Sequence, residues 1–473
     1  MPWNQDLQGP HLAIAGEAAS PIRVLAGPGT GKTYALMRRI WRLLEAGADP
    51  KKILVCSFTR TAAKDLEGEL AKLGVAGADQ VIAATLHGLA FSILSKQEVL
   101  EMTGRVPRPL MDFESRFMIA DLCHGNDLGV KECKKKLAAF AAAWARLQSD
   151  VAGWLQPADQ PFDAALREWL GFHSAMLIGE LVPEFRHYLR NNPLCPERAR
   201  FDYVLVDEYQ DLNRAEQETL DLLAGNRSLS IIGDDNQSIY SFKHAHPAGI
   251  VDFPATHAGT VNHSLTVCQR CPQKIVKMSN ALLVAGDANA RQLQPKAENP
   301  QGEVHIVQWT SIIEEAAGIA AMIKRRIDTN VVTPGKVLVL AQRRKFGYAV
   351  RDALAGLGVP AHSFFSEEEL DGNPAKAGEF AAQEAFTLLT LLATPTDLVA
   401  LRCWCGFGSS SLGAPAWARV RKYSADNNLG IRVVLNQLAD GELTMAHTTQ
   451  LVERYKLLRE REAACAGLAG AAL

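Results

Sequence analysis

The chain has 473 residues, enough for about two to four domains with cores of their own. Its 48% hydrophobic and 22% charged content is ordinary for a globular protein. With no run of about 18 apolar residues and no basic-then-apolar leader, no membrane association and a cytoplasmic location are expected. The net charge of −2 excludes a global basic footprint, so nucleic-acid affinity has to come from local patches at residues 38–42, 131–136, 186–200 or 343–345. Each of these also reads as a solvated helix face. Nine scattered cysteines, an odd number, suit a reducing compartment.

Residues 4–15 (NQDLQGPHLAIA) read as the start of a helix packing beside the glycine-rich loop that follows, with Gln8 free to point at a nucleotide base. Residues 22–33 (IRVLAGPGTGKT) pass from a strand through a glycine-rich turn into a helix. Such a turn brings backbone N–H groups onto phosphate oxygens, with the helix dipole behind them. Lys32 would reach the β- and γ-phosphates of a nucleotide, and the Thr33 hydroxyl would hold Mg²⁺. Ala26 stands where the strict pattern has its first glycine, and Gly27, Pro28, Gly29, Thr30 and Gly31 complete the loop. The plain alternative is a turn that binds nothing.

Residues 33–46 predict an amphipathic helix with Leu36, Ile40, Leu43 and Leu44 inward and Arg38, Arg39 and Arg42 outward. Strands are predicted at 52–58 (KILVCSF), followed by a helix through Leu73, and at 81–84, followed by Thr85-Leu86-His87-Gly88. This alternation implies a parallel, doubly wound sheet whose ligand sits beyond the carboxyl ends of the strands. Residues 89–200 then read as helical only, an insertion. The sheet resumes at 201–207 (FDYVLVD), where Asp207 would hold Mg²⁺ and Glu208 would orient or deprotonate the attacking water. A further strand and turn follow at 230–235.

GPGTGKT, SFTRTAA (57–63), TLHGLA (85–90), VDEYQD (206–211) and GDDNQSIYSF (233–242) stand in the order found in UvrD/Rep/PcrA-like superfamily 1 DNA helicases, which the chain resembles over residues 1 to about 400. The resemblance implies tandem RecA-like domains with helical insertions, ATP and Mg²⁺ as ligands, and 3′–5′ movement on single-stranded DNA or a junction. Gln8 then resembles the base-reading glutamine, Gln237 the γ-phosphate sensor, and Arg270 in LTVCQRCP an arginine finger. Phe58, Tyr240 and Phe242 match positions that stack on DNA bases, and Thr59, Arg60, His87 and Lys243 match backbone or base contacts. Aromatic and basic side chains in alternation suit sequence-tolerant binding of single strands. Phe58 also reads as a core residue ending a strand.

The implied organisation is a first RecA-like domain at 1–88 and 198–262, a helical insertion at 89–197, a second, incomplete RecA-like domain at 263–383, and a partial helical region at 384–473. In the second domain, strands are expected at 302–309 (GEVHIVQW) and 336–342 (KVLVLAQ), with helices at 312–327 and 345–358. Two departures stand out. Tyr34 and Gln269 occupy the positions where the family sandwiches adenine between arginine and tyrosine. The family's last motifs are not found after about residue 400, which implies a truncated product or a motor completed by another segment or protein partner. The rival reading is therefore an ATP-gated DNA-binding or interaction module without unwinding. Cys268, Cys271, Cys403 and Cys405 offer four thiols for a metal. The first pair flanks Arg270 and the second has C-x-C spacing, and both features argue against that use.

Overall fold

The computed structural model describes residues 2–237, 243–363 and 369–466. Strands β1 (Ile22–Ala26), β2 (Ile53–Ser57), β3 (Ile82–Thr85), β4 (Tyr203–Val206), β5 (Ser228–Gly233) and β6 (Val261–Leu265) form one sheet in the order β3-β2-β4-β5-β1-β6. Every pairing in it is parallel. A parallel sheet is covered on both faces, so its strands are apolar throughout; ILVCS in β2 is wholly buried. Successive side chains alternate between the faces. Ile53 and Val55 join the core under α1 (Gly9–Gly16), α2 (Lys32–Glu45) and α3 (Arg60–Lys72). Leu54 and Cys56 join the opposite core, against α4 (Leu86–Leu94) and helices that arrive later in the chain.

The segment predicted as a helical insertion contains α5 (Gln97–Thr103), α6 (Asp112–Asn126), α7 (Val130–Ala145), α8 (Gln160–Phe172) and α9 (Leu181–Asn191), joined by short 3₁₀ turns. Helices α10 (Arg214–Ala224) and α11 (Ala248–Thr256) return to the sheet. Two of the expected basic patches are partly structural. Arg39 is buried, and its guanidinium donates to the carbonyls of Ile14 and Glu17, tying α1 to α2. Arg186 is buried and pairs with Asp150 and Glu218.

Beyond β6 the chain departs from the expected alternation. A short ladder of β7 (Val267–Cys268) and β8 (Gln294–Pro295) flanks α12 (Gln273–Gly286). Helices α13 (Ile312–Asp328) and α14 (Arg344–Gly356) form where predicted and pack on each other through Ala316, Ala320, Ile323, Val350 and Leu354. The strands expected at 302–309 and 336–342 do not form among the described residues, and Ile306, Leu338 and Leu340 stand exposed. An apolar, β-branched run becomes a strand only beside a partner that takes its backbone hydrogen bonds, and here neither run has one.

The last helices are α15 (Ala381–Ala393), α16 (Leu398–Gly406), α17 (Ala414–Asp426), α18 (Ile431–Asp440) and α19 (Thr449–Cys465). They share a core with the earlier helical segment: Val399, Cys403 and Phe407 pack with Phe113, Phe117 and Trp169. Arg402, fully buried, seals the junction. Its guanidinium donates to both carboxylate oxygens of Asp121 at 2.9 and 2.6 Å and lies over the rings of Phe117 and Trp417. Among the described residues no helix is long and apolar enough to cross a membrane.

Candidate functional site

In a parallel sheet all strands end at one edge, and the segments after β1 to β5 that the sequence singles out leave that edge. The turn after β1 is the cradle. Ala26 ends the strand buried, Thr30 is buried with its hydroxyl donating to the Gly27 carbonyl at 2.8 Å, and α2 begins at Lys32. Gly29 and Gly31 adopt φ of +68° and +92°, the left-handed region that a side chain resists. There is also no room for one. A Cβ on Gly31 would lie 2.7 Å from His11 Nε2, and one on Gly29 would lie 2.9 Å from Arg270 Cβ.

Strand β4 delivers Asp207 and Glu208 beside the cradle. Glu208 sits in the left-handed region at φ +53°, unusual for a residue with a side chain and worth about 1 kcal/mol of strain. There its carboxylate receives Lys32 Nζ on both oxygens, at 2.8 and 2.7 Å. Burial, reinforced by the Glu208 charge, raises the Asp207 carboxyl to about 6. Asp211 is raised to about 6 for the same two reasons, and its Oδ1 is buried without a hydrogen-bond partner among the described residues. A cluster of partly desolvated carboxylates next to one lysine is short of positive charge. Thr33 stands on the first turn of α2. Among the described residues no group of three or more His, Cys, Asp or Glu side chains is arranged as a metal cage, so a cation here would need oxygens from a bound ligand as well as from the carboxylates.

The turn after β5 adds Gln237, whose side-chain amide donates to Asp234 Oδ2 at 2.6 Å. Gln210 links the two turns: its Nε2 donates to Glu208 at 3.0 Å and its Oε1 accepts from the Asp234 N–H at 3.0 Å. Arg270 follows β7 with an exposed side chain, and the Gln269 N–H donates to the Gly29 carbonyl at 2.7 Å.

On the outer side of the cradle, Tyr34 is exposed, with the Arg38 guanidinium stacked 5.2 Å from its ring and the His11 ring edge-on at 6.2 Å. Gln8 precedes the first residue of α1, makes no capping hydrogen bond with its side chain, and is exposed. This places a tyrosine and an arginine on one side of the cradle, where the family resemblance puts an arginine alone.

The ends of β2 and β3 hold a second cluster. Lys243 Nζ lies 4.8 Å from the centre of the Phe58 ring. Thr59 caps α3, its hydroxyl accepting from the Ala62 N–H, and Arg60 is the exposed first residue of that helix. His87 opens α4 with Nδ1 3.4 Å from Glu216. Its imidazole is held below the usual histidine range by burial and by the Lys243 and Arg60 charges, so a neutral imidazole stands with two cationic side chains near Phe58. Tyr240 and Phe242 lie outside the described residues.

The four thiols do not meet. Cys268 packs with Val276 and Leu293, whereas Cys403 and Cys405 are buried in the helical cores. Three residues beside the cradle carry no sequence signal. His11 Nε2 lies 2.9 Å from the Thr30 carbonyl oxygen, Leu293 covers Gly27, and Arg291 reaches Asp234 and Asp235. All three are brought in by tertiary packing.

A parallel sheet with this cradle and an Asp-Glu pair two strands away defines a phosphate-loop protein of the RecA-like kind. Residues 10–258 match the UvrD/REP helicase N-terminal domain, more than half of the chain, and the protein belongs to that family. It is 26% identical to the ATP-dependent DNA helicase UvrD1 of Mycobacterium tuberculosis strain H37Rv, over 93% of this chain and 60% of that protein. It is 22% identical to the ATP-dependent DNA helicase PcrA of Staphylococcus aureus strain NCTC 8325, over 93% and 61%. With the putative ATP-dependent DNA helicase YjcD of Bacillus subtilis strain 168 it shares 24% identity over 74% and 48%. The chain thus spans about 60% of the length of the UvrD1 and PcrA relatives.

Proposed function

We propose that the chain is an ATP-hydrolysing, DNA-dependent motor of the 3′–5′ helicase type, acting in the cytoplasm on single-stranded DNA or a single-strand junction. The observation that carries this is the contact of Lys32 with both oxygens of Glu208 across the cradle. A lysine so placed holds the phosphate-binding seat closed until a stronger anion arrives. Nucleotide phosphates draw Lys32 away, and Glu208 is then free to orient and deprotonate water. Thr33 and Asp207 would hold Mg²⁺, which would supply neutralising charge on the phosphates. Gln237 senses the γ-phosphate, Arg270 neutralises charge that develops on it, and Gln8 and Tyr34 hold the base.

Phe58, Tyr240 and Phe242 stack on bases, while Thr59, Arg60, His87 and Lys243 contact the strand. The two sites share one sheet edge. Strands β4 and β5 lie between β2, which carries Phe58, and β1, which carries the cradle. A change at one site can therefore move the other.

The second reading, an ATP-gated DNA-binding module, is favoured by the unpaired runs at 302–309 and 336–342, because turnover in such motors needs a second formed domain. Steady-state ATP hydrolysis with and without single-stranded DNA, with Glu208→Gln as the blank, separates the two. DNA-stimulated turnover that vanishes in the variant supports the motor. Binding of both ligands without turnover supports the gated module, and failure to bind ATP overturns both.

A further inference from the structure

We propose that Arg291 is a positioning residue for nucleotide turnover, fixing Asp234 and, through it, Gln237 at the far end of a relay that begins at Lys32. The proposal rests on the reading of this site as an ATP site. The relay is continuous. Lys32 bonds Glu208, Glu208 accepts from Gln210, Gln210 accepts from the Asp234 N–H, and Asp234 accepts from Gln237 on one oxygen and from Arg291 on the other. Arg291 Nη2 lies 2.9 Å from Asp234 Oδ1 and 2.7 Å from Asp235 Oδ1. Asp234 is buried, so its charge has to be met by the groups that touch it, and Arg291 is the cationic one among them.

The place of Arg291 in the chain is what makes the contact informative. Asp234 and Gln237 follow β5 of the six-stranded sheet, whereas Arg291 lies 57 residues beyond Asp234, between α12 and β8. Its neighbour Leu293 is pinned to α12 by a reciprocal pair: the Asn280 side chain donates to the Leu293 carbonyl at 2.7 Å and accepts from the Leu293 N–H at 3.0 Å. Leu293 also covers Gly27, where a Cβ would lie 2.6 Å from its Cδ2. One short segment therefore touches the phosphate loop through Leu293 and the sensor turn through Arg291. Nε and Nη1 of Arg291 are buried without a hydrogen-bond partner among the described residues. The guanidinium therefore has donor capacity that its present contacts to Asp234 and Asp235 do not use.

The test is steady-state ATP hydrolysis by the full chain with saturating single-stranded DNA, comparing the unaltered protein with Arg291→Ala, Arg291→Lys, Asp234→Asn and the Ala/Asn double variant. Arg291→Ala should lower kcat on the order of tenfold while KM for ATP stays within about twofold. Arg291→Lys should recover most of the loss, and the double variant should be no worse than the poorer single one. An Arg291→Ala enzyme with unaltered kcat overturns the proposal, as does a loss that follows melting temperature and is not recovered by lysine. Should the unaltered protein bind ATP without turning it over, the motor reading fails on its own. Hydrogen exchange at residues 233–237 then decides. Protection by a slowly hydrolysed ATP analogue that Arg291→Ala abolishes supports the positioning role, and equal protection in both proteins overturns it.

Discussion

Two stretches of this chain read alike and end differently. IRVLA at 22–26 and KVLVLAQ at 336–342 are both short apolar runs between helices. Ile22 and Val24 are 1% exposed inside a six-stranded sheet, whereas Leu338 and Leu340 are 66% and 85% exposed with no strand beside them. Local composition is therefore not what separates them. β1 lies between β5 and β6, and its backbone groups are taken up on both sides. Residues 336–342 have helices α13 and α14 nearby but no neighbouring strand among the described residues, and a strand cannot satisfy its own backbone. Site chemistry follows the same division. The carboxylates and the lysine leave the formed sheet, and the second region contributes side chains that reach back to it.

The largest expected effect lies at the formed edge. Glu208→Gln should lower DNA-stimulated ATP turnover by about 10³-fold, near 4 kcal/mol, with ATP still bound; a rate within tenfold of the unaltered protein would break the assignment of Glu208 as base. Next, matched deletions compare the two regions directly. Leu205→Ala, buried in β4, should cost about 3 kcal/mol in denaturant unfolding, whereas Leu340→Ala should cost less than about 0.5 kcal/mol. Equal costs would mean that residues 336–342 are packed in solution.

An effect of similar size depends on pH. The folded-state carboxyl of Asp207 is raised to about 6, above its unfolded value, so the folded chain binds the proton more tightly. Its penalty is absent below about pH 4, grows between 4 and 6, and is complete above 6. Without nucleotide, Asp207→Asn should accordingly stabilise the chain by roughly 3 kcal/mol at pH 8 and by nothing measurable near pH 4. A melting-temperature difference that does not change with pH would contradict the buried, cation-deficient picture. Smallest is the DNA end: Phe58→Ala should weaken single-strand binding by about 1–2 kcal/mol, and Lys243→Ala should lower the slope of affinity against salt by about one.

The cradle, the Asp-Glu pair, five of the six strands and the all-helical character of the insertion were legible because each is a local pattern: a short continuous apolar run, helical periodicity, a glycine turn, a strand ending in acids. β6 was missed because VNHSL carries three polar residues on an edge strand, which weakens the apolar signal. Arg39 reads as a surface residue by its helix position, and its burial comes from the carbonyls at the end of α1. Likewise nothing near Arg402 announces Asp121, its partner 281 residues earlier. His11, Arg291 and Leu293 belong to the same class, because they reach the site through packing between distant segments.

The central claim is that one sheet edge couples the nucleotide cradle to the cluster around Phe58. The direct measurement is the dissociation constant for single-stranded DNA with and without a saturating, slowly hydrolysed ATP analogue, with Lys32→Ala as the uncoupled control. The account predicts a shift of about fivefold or more that the variant lacks. An unchanged constant, with the analogue shown to be bound, would contradict it.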